Sequence, residues 1–273
     1  MTEKSFETPC GSIRYWVGGA PAESKLPLAF LPGLTADHRL FERQVAHFAE
    51  RRRVFVWDAP GHAKSWPFSL TFSLTDKARW LDEILLSEGM AHPVIVGQSM
   101  GGYVAQAYAG LFPDRLKGFV SIDSAPLQRK YMTKAELWLL RRTEPMYRRI
   151  PWRLLVQAGA NGTAVSEYGR TLMRDMMAVY DGNQKRYAQL AGHGFRIVAE
   201  AVEASVPCEI SCPALLICGA KDRAGSTVRY NKAWHRNAGI PLEWIPGAGH
   251  NANTDAPDAV NVLIERLLSA AEA

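Results

Sequence analysis

The sequence predicts an α/β fold built on a mostly parallel, doubly wound sheet. Three observations predict it. Short, uniformly apolar runs such as Val94-Ile95-Val96 read as strands buried on both faces, the signature of parallel sheets. These runs alternate with segments of helical composition. Three residues able to do acid–base and nucleophilic chemistry, Ser99, Asp222 and His250, each follow a strand of this kind. Open α/β sheets hold their ligands at such carboxyl ends.

In chain order, the strands are expected at Ser12–Val17, Leu28–Leu31, Val54–Trp57, Val94–Val96, Phe119–Ile122, Ala214–Cys218 and Leu242–Ile245. Between and after them, helices are expected at Arg39–Ala49, Leu74–Glu88, Gly102–Leu111, Thr227–Ala238 and Pro257–Ala270. Pro257 suits a first helical turn, with Asp255 or Thr254 as cap. One region breaks the alternation. From about Pro126 to Pro207 no strand is read, and helical spacing recurs at Lys134–Arg142, Met146–Ala158, Ala164–Val179, Gln184–Leu190 and Phe195–Ala204.

The most informative stretch is Gly97-Gln98-Ser99-Met100-Gly101. A buried strand leads into it and a helix-forming segment leaves it, so the serine stands at the apex of a sharp turn. An apex of that kind is strained and needs small neighbours, which Gly97 and Gly101 supply. It lifts the hydroxyl clear of the sheet and points the next helix's amide dipoles at it. This context makes the pattern a nucleophile elbow.

A serine is a poor nucleophile until an oriented base takes its proton. His250 lies in the loop Gly247-Ala248-Gly249-His250, after one strand, and Asp222 in Ala220-Lys221-Asp222, after another. In this reading His250 accepts the Ser99 proton and Asp222 holds the imidazole tautomer. Asp123, at the end of Phe119–Ile122, competes with Asp222 for the acid's role.

With these residues in place the chain resembles the α/β-hydrolase superfamily, in its serine-nucleophile, carboxylesterase-like branch, over nearly its whole length. The order Ser99, Asp222, His250 matches that fold. Leu31-Pro32-Gly33-Leu34 resembles its oxyanion loop and Asp58-Ala59-Pro60-Gly61-His62-Ala63-Lys64-Ser65 the turn after the next strand. Leu111-Phe112-Pro113-Asp114-Arg115-Leu116 resembles the exit from the elbow helix. His250-Asn251 with Asp255-Ala256-Pro257 resembles the C-terminal loop. The chain departs from the common pattern at Pro32, where histidine is usual, and at Ala63, where glycine is usual.

The resemblance implies an α/β-hydrolase core at 1–125 and 208–273, with a helical cap at 126–207 inserted after the sixth core strand. It also implies that the amides of Leu34 and Met100 stabilise the oxyanion. A cap of this size would roof the site and select substrates. Within it Tyr131, Met132, Trp138, Met146, Trp152, Met173, Met176 and Met177 are apolar, and Trp138 and Met176 are taken as examples that touch substrate. Packing of cap on core is the competing reading for each. Arg141, Arg142, Arg148, Arg149 and Arg153 read as a solvated face, with attraction of an anionic substrate as the alternative. His38, just after the oxyanion loop, is open between contacting substrate and following Asp37 as a helix cap.

Length and composition set limits. At 273 residues the chain is long enough for one large domain. No stretch approaches the roughly 18–20 consecutive apolar residues of a membrane helix. The first residues, Met1-Thr2-Glu3-Lys4-Ser5-Phe6, lack a signal peptide's apolar core. The formal charge is +5, without a basic run for nucleic acid. Cys10, Cys208, Cys212 and Cys218 form no metal or redox motif, and reduced thiols in the cytoplasm are the economical expectation. The expected partner is a small-molecule substrate, with no cofactor, metal, nucleic acid or membrane; a homodimer stays open.

Three activities remain. The first is hydrolysis of a small carboxylic ester, or an amide, through an acyl-serine. The second is a cofactor-free carbon–carbon hydrolase, perhydrolase or dioxygenase on the same fold. Asn251 stands where the carbon–carbon enzymes often carry tryptophan, and Gly97 is a glycine the dioxygenases usually lack. The third is a ligand sensor that keeps the three residues and turns over slowly.

Overall fold

The computed structural model describes residues 1–20 and 25–273. Its sheet has eight strands: β1 (Thr2–Thr8), β2 (Gly11–Gly18), β3 (Leu28–Leu31), β4 (Val54–Trp57), β5 (Val94–Gln98), β6 (Gly118–Ile122), β7 (Ala214–Gly219) and β8 (Leu242–Ile245). They lie in the order β1-β2-β4-β3-β5-β6-β7-β8. The β1–β2 and β2–β4 pairs are antiparallel and all others parallel. Every residue of β3, β4, β5 and β6 is buried.

The uninterrupted apolar runs are explained by what covers each face. The helices before the cap are α1 (Glu42–Ala49), α2 (Leu74–Ser87) and α3 (Met100–Leu111). After β6 come α4 (Lys134–Leu140), α5 (Thr143–Arg149), α6 (Trp152–Thr163), α7 (Glu167–Met177) and α8 (Gln184–Glu203). The chain ends with α9 (Thr227–Ala238), α10 (Ala252–Asp255) and α11 (Pro257–Ala271). Ala29, Leu31, Phe55, Trp57 and Ile95 pack with Leu81 of α2 and Val104 of α3. Their alternates Leu28, Phe30, Val54, Val56, Val94 and Val96 pack with Phe48 of α1 and Ile264 of α11 on the opposite face. Period-two alternation therefore sends the apolar residues of these inner strands into one core or the other. Burial on this scale contributes roughly 1.5–3 kcal/mol for each large apolar side chain.

Four boundaries differ from the sequence reading. β1 was not expected. Its residues Thr-Glu-Lys-Ser-Phe-Glu-Thr are mostly exposed on the sheet edge, where charge is tolerated and discourages edge-to-edge pairing. The helix expected at Met146–Ala158 is two, because the chain turns extended at Ile150 and Pro151 before α6 begins. The helix expected from Ala164 starts at Glu167, where the Ser166 side chain caps it. The two segments expected at Gln184–Leu190 and Phe195–Ala204 are the single helix α8. Its interruption, Gly192-His193-Gly194, remains helical because both glycines allow close packing. A Cβ at Gly192 would lie 2.4 Å from Glu144 Cβ, and one at Gly194 would lie 2.5 Å from Leu34 Cδ1.

The helices between β6 and β7 form a roof that is also knitted into the core. Ile197, Val198 and Val202 of α8 share a cluster with Leu81, Val104 and Tyr108. Gly110 of α3 sits so close to the following segment that a Cβ there would meet Pro207 O at 1.9 Å. No helix among the described residues is long and apolar enough to cross a membrane.

Candidate active site

Ser99 connects β5 to α3 with φ 50° and ψ −115°, a conformation that side chains rarely adopt. Its amide donates to Ile122 O of β6 at 2.9 Å, anchoring the turn to the sheet. The two glycines around it are steric requirements. A Cβ on Gly97 would fall 2.5 Å from Gly101 O, and one on Gly101 would fall 1.9 Å from Leu31 O. Met100 begins α3, so its N–H is a first-turn donor with no intrahelical acceptor.

The three residues that follow separate strands meet at the carboxyl end of the sheet. His250 Nδ1 lies 2.9 Å from Asp222 Oδ2, and His250 Nε2 lies 2.9 Å from Ser99 Oγ. A carboxylate only accepts, so Nδ1–H is the donor to Asp222, and Nε2 is left to accept from the serine hydroxyl. Asp222 is itself held, since its Oδ1 accepts from Ala224 N–H at 2.7 Å. His250 and Asp222 are buried, while Ser99 is partly open to the cavity.

Asp123 lies nearby with a different set of partners. Its Oδ1 accepts from Gly219 N–H at 2.7 Å and its Oδ2 from Ala252 N–H at 3.2 Å. Burial, reinforced by the charge of Asp222, holds its carboxyl well above the usual carboxylate range.

Two residues besides Ser99, His250 and Asp222 brace this arrangement. Gln98 Nε2 donates to His250 O at 2.9 Å and to Asn251 Oδ1 at 3.1 Å, tying the elbow to the histidine loop. Gly33 makes room for it, as a Cβ there would lie 2.3 Å from Gln98 Oε1. Asp255, expected as a cap for the last helix, accepts instead from Val165, Ser166 and Gly249 N–H groups at 2.7–3.0 Å. It therefore joins the roof to the histidine loop. Asn251 adds to this joint by donating its N–H to Thr163 O at 2.7 Å. A Gln directly before the serine was the one available sequence signal; nothing local distinguishes Asp255 from a capping residue.

Ser99 and His250 line a cavity of about 340 Å³. Leu34, Leu155, Met173, Tyr147, Tyr187 and Phe195 form much of its wall. Tyr147 stacks on Phe195 and meets Tyr187 edge-on. Burial pushes both tyrosine hydroxyls above their ordinary range, so these two side chains are uncharged at neutral pH.

Three residues offered for substrate contact lie elsewhere. Trp138 is 56 % exposed on α4 with the Arg142 guanidinium over its ring, and it lines a separate surface groove. Met176 is fully buried beneath the oxyanion segment, where its Sδ accepts from Asp37 N–H at 3.5 Å, and its neighbour Met173 lines the cavity instead. His38 stacks on Trp16 at 3.6 Å and pairs through Nδ1 with Asp58 Oδ1 at 2.8 Å, away from the cavity wall. Asp37 caps the short turn that His38 begins.

Among the described residues, two groups bring carboxylate and imidazole atoms within 4.8 Å of one another: Asp37, His38 and Asp58, and Asp123, Asp222 and His250. In both groups the carboxylates are already engaged by protein donors. Asp37 binds Arg39, and Asp58 accepts from His38 and Lys64.

Known proteins resemble this chain in sequence and in fold. The chain is 32% identical over 114 residues to a pimeloyl-[acyl-carrier protein] methyl ester esterase of Yersinia enterocolitica, a match covering 41% of each protein. It is 24% identical over 253 residues to 3-oxoadipate enol-lactonase 2 of Acinetobacter baylyi, covering 88% of each. Its fold is similar to that of a thermophilic esterase from Thermogutta terrifontis, with a TM-score of 0.73, 23% identity and full coverage of both chains. The model of the alpha/beta hydrolase family matches residues 28–262. With the eight-stranded sheet and the serine at its strand–helix turn, that match settles the membership: this chain belongs to the alpha/beta hydrolase family and is a hydrolase.

Proposed function

We propose that this hydrolase cleaves a small carboxylic ester through an acyl-serine intermediate, with Ser99, His250 and Asp222 as the catalytic residues. The observation that carries the reading is the continuous hydrogen-bonded chain from Asp222 through His250 to a serine in a strained turn. As Ser99 Oγ attacks the ester carbonyl carbon, His250 Nε2 takes its proton. The tetrahedral oxygen is stabilised by the amides of Leu34 and Met100. His250 then returns the proton to the alkoxide, the C–O bond breaks and the alcohol leaves. Water repeats the sequence on the acyl group, releasing the acid and restoring Ser99. The similarity to an esterase and to an enol-lactonase supports ester chemistry, since a lactone is a cyclic ester.

The direct test is turnover of p-nitrophenyl esters of graded acyl length. A pre-steady-state burst of nitrophenol equal to the enzyme concentration is the expected result. Release of a dienoic diketone's acyl group with no ester turnover would transfer the reading to carbon–carbon hydrolysis.

A second expectation concerns the roof. Gly194 of α8 lies against Leu34 Cδ1 and Met100 Cε. Gly194→Ala places a methyl group against Leu34 Cδ1 and Met100 Cε, so the side chains over the oxyanion segment must move. Alanine favours the helix by about 1 kcal/mol, so thermal stability is expected to hold. kcat is expected to fall by about 10-fold to 100-fold, because displacement near the reacting atoms is costly. A variant with unchanged kcat would show that the roof does not reach the oxyanion donors.

A further inference from the structure

Beside the catalytic cavity lies a second one, of about 230 Å³. The two are contiguous, since Gly162 and Arg223 line both. Gly162 is exposed, and an added Cβ there would meet nothing within 4 Å, so a side chain at this shared position has room to enter either space. The second space is lined by Arg170, Lys221 and Arg223. None of the three pairs with a carboxylate within 4.0 Å among the described residues. The Arg170 guanidinium donates through Nε to Ala164 O, which leaves its Nη atoms without an acceptor among those residues.

The acid beside this space is Asp255, and both its oxygens are engaged by the N–H groups of Val165, Ser166 and Gly249. The cations are held in place by the same backbone that carries the catalytic residues. Lys221 N–H donates to Ala248 O at 2.8 Å, and Ala224, next to Arg223, donates its N–H to Asp222. The opposite wall, at the end of α6, is fixed through Thr163 O to Asn251. Three cations with no carboxylate partner among the described residues therefore stand on backbone anchored to the catalytic loops, beside the largely apolar cavity that holds Ser99.

We infer that the substrate carries an anionic group, a carboxylate by the simplest chemistry, seated among Arg170, Lys221 and Arg223 while its ester reaches Ser99. The position of the ester rests on the serine-hydrolase reading above; the anion site does not need turnover to be measured. The anion belongs either to the acyl group or to the alcohol, and the test separates the two.

Ligand binding is measured calorimetrically with the Ser99→Ala protein. In the acyl arm monomethyl adipate is compared with methyl hexanoate. In the alcohol arm 6-acetoxyhexanoate is compared with hexyl acetate. The acid is expected to bind about tenfold tighter than its neutral counterpart in at least one arm, and about 0.5 M NaCl should erase most of that preference because these charges are exposed. The double variant Lys221→Gln/Arg223→Gln, built on the same background, should bring acid and neutral ligand to parity. Gly162→Leu, which puts a side chain at the residue both spaces share, should weaken the acid in the preferred arm. Equal binding in both arms, or a preference that survives the double substitution, overturns the anion site. Wild-type turnover is read separately. A charge preference in binding without ester turnover would leave the anion site standing and remove the ester-cleavage reading. Turnover without charge preference would do the reverse.

Discussion

Ser99→Ala is expected to lower kcat toward a p-nitrophenyl ester by roughly 10⁴-fold to 10⁶-fold, because it removes the hydroxyl that pairs with His250 Nε2. The fold should remain intact. Alanine keeps the Cβ that the elbow already accommodates, and the turn's anchor is the backbone bond from residue 99 to Ile122 O. The substitution removes one hydroxyl from a partly open position, so no large cavity is left behind. A fluorophosphonate provides an independent measurement. It should add one mass adduct to the wild-type protein and none to Ser99→Ala. Labelling of the variant would assign the nucleophile to another residue. Loss of labelling with a lowered melting temperature would call for Ser99→Gly or Ser99→Thr, which separate folding from chemistry. Residual turnover in a folded variant is expected from His250 acting on water within the same cavity, as removal of a nucleophile rarely returns an enzyme to the rate in solution.

The sheet was legible because its inner strands are buried on both faces. Leu28–Leu31 and Val54–Trp57 carry their burial in composition alone. The β1 edge could not be read that way, since its side chains face water and its only requirement is a partner in β2. The roof was legible as helical and misdivided in detail. Glycines in α8 looked like breaks, yet they are contact points against Glu144 and Leu34, and that use depends on neighbours distant in sequence. At Pro151 the reverse error occurred, with local chemistry overruled by apparent periodicity.

The site divides along the same line. Ser99, Asp222 and His250 were readable because each sits one turn beyond an apolar strand, and the topology of the sheet brings strand ends together. Leu34 was reached by resemblance, and it does line the cavity. The wall residues were not readable. Whether Trp138 or Phe195 faces the cavity is decided by the rotation of α4 and α8, which single-sequence periodicity leaves undetermined. Trp138 turns to solvent under Arg142, whereas Phe195 stacks on Tyr147. Asp255 acts through backbone partners far along the chain, so it has no local signature.

Asp222→Asn is expected to lower kcat by about 10³-fold to 10⁴-fold, and Asp123→Asn by less than about tenfold. The two carboxyl groups share one neighbourhood, but their oxygens do different work. Asp222 Oδ2 accepts from His250 Nδ1–H at 2.9 Å, so an amide at 222 that offers N–H instead would favour the tautomer carrying its proton on Nε2. That tautomer cannot take a proton from Ser99 Oγ. Asp123 accepts backbone N–H groups from Gly219 and Ala252, which join β7 to the start of α10. An asparagine at 123 can still accept from Gly219, but its amide then faces the Ala252 N–H. The expected cost there is about 1–3 kcal/mol of stability with the rate largely kept. The pKa of Asp123 supports this division. Burial and the charge of Asp222 raise it, so the native protein holds a proton on this group at pH values where the unfolded chain has lost it. Ionising it therefore destabilises the fold as pH rises through the raised pKa, and a neutral amide at 123 removes that part of the pH dependence. Melting curves across pH should show a flatter alkaline side of that window for Asp123→Asn, and pH–rate profiles should show the large kinetic loss for Asp222→Asn alone. A reversed ranking of the two rates would move the orienting role to Asp123.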